Sequence, residues 1–411
     1  MIIYNVSLSR YIFYIIIKIM NNIRASIDIW NGYIKGIVFE QEEGKEIILA
    51  KETIKAEGYR KGKILDSTLL SNTIHNMIDW FQKKIWGEYI DDVIVWLSHP
   101  ELLIERVTEH KRILESDIVQ SSDVSHLSKL IWDISQKSNY EIVKVIPAYW
   151  ILDEEKIEKN PEGCGAKKLT LIADIFYLPK VFYQNLVDIF HNIHLNVIDI
   201  IPNILASSDV LLDVDHKDLW SILIDIWANQ TSYAVFEEWN ALTYGTLPVG
   251  GDDVTKDISI GLQVDIKQAE KIKIHYEKVG NDDEITLDYK FLHEIISARY
   301  EQIFDKINDV LKKIGKDGKL AWGVHLIWQW TLRSETINHA KEVFKLSTSY
   351  WQNDDKFRDI TTNKWFQNGV SLYIRSNRYH NKNKWLFSFR RIQSTWKWAI
   401  NAITNFFKDL F

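Results

Sequence analysis

Apolar positions along the chain fall into short runs separated by polar turns, and two of these runs share one register. Ile222–Ile226 fits a buried strand and Tyr233–Phe236 its hairpin partner, with the residues from Trp227 to Ser232 as a tight turn. The same pattern occurs earlier, where Ser26-Ile-Asp-Ile-Trp30 leads through Asn31–Gly36 into Ile37-Val-Phe-Glu40. Ile-Asp-Ile-Trp starts at 27 and at 224, and Phe-Glu at 39 and at 236, an offset of 197 residues both times. Two equivalent hairpins predict two related half-domains. Each carries an acid where its first strand ends, Asp28 and Asp225. An acid there can hold a metal-bound water, and the N–H groups of the turn can face a phosphate. Two such turns facing each other across a cleft would clamp Mg-nucleotide.

The remaining pattern predicts an α/β chain with an insertion. Ile23–Ile29, Ile34–Gln41 and Glu46–Thr53 read as a β-meander. Asp66–Ile85 has helical spacing, with Asp66 or Ser67 as its cap, and Val93–Leu97 is a strand. Residues 99–178 break the rhythm. Strands at Leu102–Arg106, Glu141–Trp150 and Lys168–Tyr177, with a polar helix around Val124–Lys137, predict a small α+β insert. Helix Pro179–Phe190, strand Leu195–Ile200 and helix Ile204–Leu212 lead to the second hairpin.

After that hairpin come strand Leu242–Val249 and the run Gly250-Gly251-Asp252-Asp253 before a helix, Val254–Gly261. Paired glycines at a helix N-terminus make an anion site. Helix Ile266–Tyr276 carries Glu270 and Lys273, whose spacing favours a surface salt bridge. Asp283–Tyr289 reads as a strand and Phe291–Ile314 as a long helix. Val324–Ile327 enters the turn Trp328-Gln329-Trp330, with Thr331–Lys345 as the next helix. Strand, turn, helix is a nucleotide-loop arrangement. The stretch Asn363–Ser376 ends the folded part.

Composition changes one part of this picture. Hydrophobic residues make up 46%, enough for a sizeable core, and the net charge of −6 argues against a nucleic-acid partner. The single cysteine, Cys164, excludes an intramolecular disulfide and fits a reducing compartment. Glycine is the anomaly. There are 17 Gly and 17 Trp in 411 residues, where average glycine usage is roughly 7%. The tryptophans occupy glycine-like places: Trp30 and Trp227 in hairpin turns, Trp239 between strands, Trp328 and Trp330 around Gln329. Only glycine takes φ > 0 freely and lets a backbone approach a ligand. Some bacterial lineages read UGA as glycine, and translation of such a gene with tryptophan at UGA gives this pattern. A degenerate, non-binding relative is the competing reading.

The ends are distinct. Tyr11–Met20 is apolar except for Lys18 and too short to span a bilayer. No small-residue cleavage site follows, so residues 1–22 read as an extension beyond the natural chain, with Met20 as the natural start. From Arg375 to Phe411 there are eight Lys or Arg and one acid, Asp409. A basic linker, 375–395, precedes a segment, 396–411, with an apolar stripe that includes Ile400, Ile403, Phe406, Phe407, Leu410 and Phe411. That reads as an interfacial membrane anchor on anionic lipid. A helix packed on protein is the alternative.

From about Ile23 to Phe411 the chain resembles FtsA, the family of actin-like bacterial cell-division proteins that anchor FtsZ filaments. Ser26-Ile-Asp-Ile-Trp30 resembles the family's first phosphate loop if Trp30 is glycine, and Leu223–Thr231 its second. Val145-Ile-Pro147 and Asn160-Pro-Glu-Gly163 resemble its insert subdomain, and Leu247–Asp252 with Val254–Ile258 is close to its pattern. So is Gln268-Ala-Glu-Lys-Ile-Lys273, which the family places over the adenosine; Ile327–Trp330 resembles the adenine loop. The second loop departs at Trp227, Ala228 and Asn229, and Ser232 replaces the family's acid. Ala-Asn-Gln there leans toward PilM, the actin-like pilus-assembly ATPase.

The resemblance implies an actin/Hsp70-like, ribonuclease H-like two-lobed α/β fold with an α+β insert subdomain and ATP in the central cleft. Subdomain 1A would take 23–98 and 179–213, 1C 99–178, 2A 214–261 and 321–374, and 2B 262–320. The nucleotide would be held by Trp30, Asn31, Gly32, Trp227, Ala228, Asn229, Gln230, Thr231, Gly250, Gly251, Asp252, Glu270, Lys273, Trp328, Gln329 and Trp330. Asp28 and Asp225 would hold Mg2+ through water. Expected partners are the FtsZ C-terminal tail on 2B, other divisome proteins through 1C, further copies of the chain in filaments, and the inner face of the cytoplasmic membrane. Arg299 is the arginine of the 262–320 region and could clamp a peptide carboxylate. A pair with Glu294 or Glu301 is the equal alternative. A sugar kinase of the same fold would need a substrate-binding acid that no segment clearly supplies, so slow or absent ATP turnover is expected.

Overall fold

The computed structural model describes residues 23–350, apart from 31–32, 43–44, 61, 114–116, 154, 158–159, 213, 239, 280–288 and 329–333. Strands β1 (Ile23–Trp30), β2 (Tyr33–Glu42) and β3 (Lys45–Lys55) form the first meander. A small pair, β4 (Tyr59–Arg60) and β5 (Lys63–Ile64), precedes α1 (Ser67–Lys84) and β6 (Asp92–Leu97). The insert follows as β7 (Leu103–Arg112), α2 (Ser121–Ile134), β8 (Tyr140–Leu152), β9 (Glu155–Ile157) and β10 (Lys168–Pro179). Next come α3 (Lys180–Asn192), β11 (Asn196–Pro202), α4 (Asn203–Leu211) and α5 (Val214–Asp218). The second half has β12 (Ser221–Ile226), β13 (Thr231–Glu237), β14 (Asn240–Leu247), α6 (Gly251–Leu262), α7 (Ile266–Val279) and α8 (Tyr289–Lys313). It ends with β15 (Gly323–Trp328), α9 (Ser334–Phe344) and β16 (Thr348–Tyr350).

The residues divide into two compact units. One takes the described residues up to His99 together with Val181–Asn203; the other takes Pro100–Lys180 and the described residues from Ile204 onward. The first unit is built on a sheet of order β11-β6-β1-β2-β3. β1 is antiparallel to β2 and parallel to β6, which in turn is parallel to β11. α1 covers this sheet because Leu70, Ile74, Met77, Ile78 and Phe81 recur on one buried face. Asp66 caps it, its carboxylate accepting from the Leu69 N–H at 2.9 Å. The helix comes in close where β2 has a glycine: a Cβ on Gly36 would lie 2.6 Å from both Met77 Sδ and the Phe81 ring.

The second unit holds a sheet of order β14-β13-β12-β15-β16 with the same plan. Again an antiparallel meander of three strands continues into two parallel ones. The repeat at 27 and 224 thus corresponds to a repeated sheet topology. The long α8 buries Leu292, Ile296, Tyr300, Ile303, Phe304, Ile307 and Leu311 against this sheet's core. The insert is an antiparallel sheet, β7-β10-β8-β9, with α2 over one face. Arg106 on β7 joins it to β14, since its fork donates to both Asp174 oxygens at 2.7 Å and on to the Ala241 carbonyl at 2.7 Å.

Some expectations shift. Tyr289 opens α8 rather than ending a strand, and 283–288 lie outside the described residues. The short α5, β9 and β16 have too few residues for a periodic signal. The 1–22 extension, the Asn363–Ser376 stretch, the 375–395 linker and the 396–411 segment with its membrane-facing residues all lie outside the described residues. No described helix is long and apolar enough to cross a membrane.

Candidate functional site

In the first unit β1 brings Asp28 opposite Lys35 of β2. Both are buried, at 0% and 1% exposure. Asn203, the first residue of α4, donates its Nδ2 to Asp28 Oδ1 at 3.4 Å. Burial pushes the Asp28 carboxyl up to about 6, against the Lys35 ammonium and the Asn203 amide, which both lower it. Burial, and then the Asp28 charge, push the Tyr59 phenol up as well. Lys35 is the residue that sequence reasoning missed. Its signal was a lone cation between Ile34 and Gly36 in the otherwise apolar run from Tyr33 to Phe39. Trp30 closes β1, paired with Tyr33 in extended backbone, while Asn31, Gly32 and the Trp30 side chain lie outside the described residues.

In the second unit Asp225 stands opposite Ser232 and is buried. The Ser207 hydroxyl of α4 donates to Asp225 Oδ2 at 3.5 Å. The turn that follows is closed by the Trp227 N–H donating to the Gln230 carbonyl at 2.8 Å, with Ala228 and Asn229 at its tip. Thr231 donates its hydroxyl to the Val249 carbonyl at 2.9 Å, which ties the turn to the glycine pair. Gly250 lies directly on the turn: a Cβ there would be 2.1 Å from the Trp227 carbonyl oxygen and 2.8 Å from the Gln230 nitrogen.

That packing decides where the first amides of α6 go. Gly251 N–H donates to the Trp227 carbonyl at 2.8 Å and Asp252 N–H to the Ala228 carbonyl at 2.5 Å. The Gly250 N–H is taken by the Asp253 carboxylate at 3.0 Å. The expected anion site at this helix start therefore has its first donors engaged by the turn. Gln230 differs. Its side-chain amide is buried, and neither Nε2 nor Oε1 has a hydrogen-bond partner. A buried amide in that state costs free energy unless a partner arrives. Trp227 is buried but is not among the left-handed residues. Among the described residues, tryptophan takes positive φ at Trp86 and Trp220. The backbone argument for glycine thus belongs to those two positions rather than to Trp30, Trp227 or Trp328.

Glu270 and Lys273 are not the surface pair that their spacing favours. Lys273 is buried, and its Nζ donates to the Gly251 carbonyl at 3.1 Å and to Thr255 Oγ1 at 2.7 Å, while pairing with Glu270 at 2.8 Å. The lysine ties α7 to the first turn of α6, so the glycine pair is fixed from two sides. The reason is non-local: α7 packs its polar stripe against the start of α6, which helical spacing alone does not reveal.

Arg299 is paired, but with neither Glu294 nor Glu301. Its Nε and Nη2 donate to Asp257 of α6 at 2.6 and 2.9 Å, and Nη1 donates to Gln302. Hydrogen bonding to Asp257, against burial, holds the guanidinium above its usual range. Gln329, Trp330 and the Trp328 side chain lie outside the described residues.

Comparison with known proteins places this arrangement. A family model described as cell division protein FtsA matches residues 222–348, from β12 to β16. FtsA of Bacillus subtilis is 26% identical over 314 residues, 72% of this chain and 71% of the relative. FtsA of Enterococcus hirae is 26% identical over 344 residues, 80% and 77% of the two chains. FtsA of Pseudomonas aeruginosa is 22% identical over 372 residues, 85% and 88%. Among solved structures, a PilM-PilN type IV pilus biogenesis complex superposes with a TM-score of 0.60 at 11% identity, covering 86% of this chain and 98% of that one. The duplicated sheet and these matches give the chain an actin-like fold and a sequence similar to FtsA over most of its length.

Proposed function

We propose that the chain is an actin-like, ATP-binding cell-division protein that tethers FtsZ filaments to the cytoplasmic face of the membrane. The observation that carries this reading is the similarity to FtsA, which spans 72% to 85% of the chain in relatives from three genera. The residues fit a nucleotide, because the orphaned Gln230 amide offers a buried donor and acceptor beside the Gly250 turn. Asp28 and Asp225 would each orient a water on Mg2+, and Lys35 would face a phosphate from β2. Lys273 and Glu270 would hold the sugar side while keeping α6 in place.

The same reading assigns the remaining parts. Residues 99–178 are 1C, which meets other divisome proteins and neighbouring copies in a filament. Residues 262–320 are 2B, where Arg299 would receive the FtsZ tail by exchanging Asp257 for a peptide carboxylate. Residues 396–411 are the lipid anchor. A PilM-like pilus ATPase is the second reading, favoured by the PilM superposition and the Ala228-Asn229-Gln230 turn. Capture of an FtsZ-tail peptide supports the first reading; its absence, with capture of a PilN peptide instead, supports the second.

Titration of Mg-ATP tests the nucleotide site, on protein carrying glycine at 30, 227, 328 and 330. Asp28→Ala and Asp225→Ala should each weaken Mg-ATP by at least about tenfold, or about 1.4 kcal/mol, and ATP without metal far less. Equal affinities for all three proteins would sink the reading. With tryptophan at those four positions, binding should be poor throughout.

A further inference from the structure

Two tryptophans stand in backbone that side chains rarely adopt. Trp86 has φ of 62° and Trp220 of 64°. The other described non-glycine residues with positive φ are Asp117, Asp153, His194, Glu238, Gln263 and Lys345. Asp and His enter this region several-fold more readily than most residues, whereas a bulky ring there is an outlier. The left-handed conformation drives Cβ toward the following carbonyl oxygen, a clash that only glycine escapes.

The local structure says which residue the backbone asks for. Helix α1 ends with Ile85 as its C-cap, and the Gly87 N–H reaches back to the Gln82 carbonyl at 2.8 Å. This is the six-to-one bond of a Schellman stop, and the left-handed residue inside it is usually glycine. Here it is Trp86, followed by Gly87 with φ of 84°, so two consecutive residues are left-handed. The Trp86 side chain is 97% exposed, so no packing accounts for an indole there. Trp220 precedes β12, where the Trp322 N–H donates to the Leu219 and Trp220 carbonyls at 3.1 and 3.0 Å. Its ring lies 4.0 Å from Lys316 Nζ, so at 220 the backbone alone speaks for glycine. Composition is an independent observation: the chain has 17 glycines, where average usage would give roughly 29.

We infer that positions 86 and 220 are glycine in the protein its own cells make, each encoded by UGA and read there as glycine. This stands apart from the nucleotide reading, because neither residue belongs to the hairpin turns. Reading the two codons and measuring the masses of the peptides that contain them, on protein purified from its own cells, tests it directly. UGA with glycine masses at both positions is the expected result; UGG or a tryptophan mass at either overturns it. A second measurement uses the chain as written, produced in a host that reads these positions as tryptophan. Trp86→Gly should raise the thermal midpoint, and Trp86→Ala, which keeps Cβ, should raise it less. Trp132→Gly, inside α2 with helical backbone, should lower it. A fall with Trp86→Gly, or an equal gain from alanine, would overturn the backbone argument.

Discussion

The hairpins β1–β2 and β12–β13 share the same four residues where the first strand runs into the turn, and differ in what stands across from the aspartate. Asp28 faces Lys35, while Asp225 faces Ser232. One residue nearer the strand start, Ile27 faces Gly36 and Ile224 faces Tyr233 by the same register. In the first sheet the missing side chain lets α1 settle on β2. In the second, Tyr233 fills that volume and the glycine moves to Gly245 on β14, where a Cβ would lie 2.1 Å from the Tyr233 hydroxyl. The repeated backbone fixes where the acid sits. Burial dominates the electrostatics of Asp28, the residue across from it on the partner strand opposes that burial, and the packing is set by the position beside it.

The largest difference should appear when the facing residue is removed. Lys35→Met leaves a buried carboxylate without its cation, which typically costs about 3–5 kcal/mol. Ser232→Ala removes only a neutral neighbour and should stay within about 1 kcal/mol. Denaturant unfolding of the two variants measures both, and equal losses would end the comparison. Asp28→Asn added to Lys35→Met should recover most of the loss, since the two residues act as a pair.

Acidity tests the same pair without touching the lysine. Burial raises Asp28 from 3.8 to about 6 in the folded protein. Its contribution to stability is therefore complete below the unfolded value and lost as pH rises through the folded one. That loss amounts to about 3 kcal/mol. The stability difference between wild type and Asp28→Asn, followed by unfolding from pH 3.5 to 7, should fall by roughly that amount. A flat difference would mean that the carboxylate is charged at no cost.

Much of this was legible beforehand, for reasons that particular residues make clear. Asp66–Ile85 was readable as a helix because periodicity and cap agree, and it forms as Ser67–Lys84 with Asp66 as its cap. The second hairpin was readable because its apolar runs are short and its repeat is literal. Lys35 was not, because a lysine in a strand normally faces solvent, and only its register with Asp28 shows that it is buried. The intramolecular partners of Lys273 and Arg299 were not legible, for one reason. Their partners, Gly251, Thr255 and Asp257, all lie on α6, and local spacing carries no information about which helix packs on which. Trp86 escaped notice because its peculiarity is a backbone angle.

Glycine substitutions sharpen the packing half of the comparison. Gly250→Ala puts a methyl against the backbone of the β12–β13 turn, which cannot move aside. It should cost about 2–3 kcal/mol. Gly36→Ala meets Met77 and Phe81, whose side chains can shift, and should cost nearer about 1 kcal/mol. Thermal melts would show the order, and a reversed order would mean that the turn is the softer of the two.

The smallest effect concerns how α4 touches each acid. Asn203 donates to Asp28 at 3.4 Å, and Ser207 donates to Asp225 at 3.5 Å. Both bonds are long, so neither should approach the usual strength of a hydrogen bond to a charged group. They differ in what remains after deletion. Without Asn203, Asp28 keeps Lys35 but loses a contact that lowers its pKa, so Asn203→Ala should move the acid transition of the unfolding curve upward. Its cost should be about 1–1.5 kcal/mol. Without Ser207, Asp225 still stands opposite Ser232, and helix α4 gains alanine, the best helix former. Ser207→Ala should therefore cost at most about 0.5 kcal/mol. Chemical denaturation of both variants at neutral pH and at pH 5 separates the two cases. Should Ser207→Ala prove as damaging as Asn203→Ala, Asp225 depends on its α4 contact as strongly as Asp28 does, and the two hairpins are electrostatically alike after all.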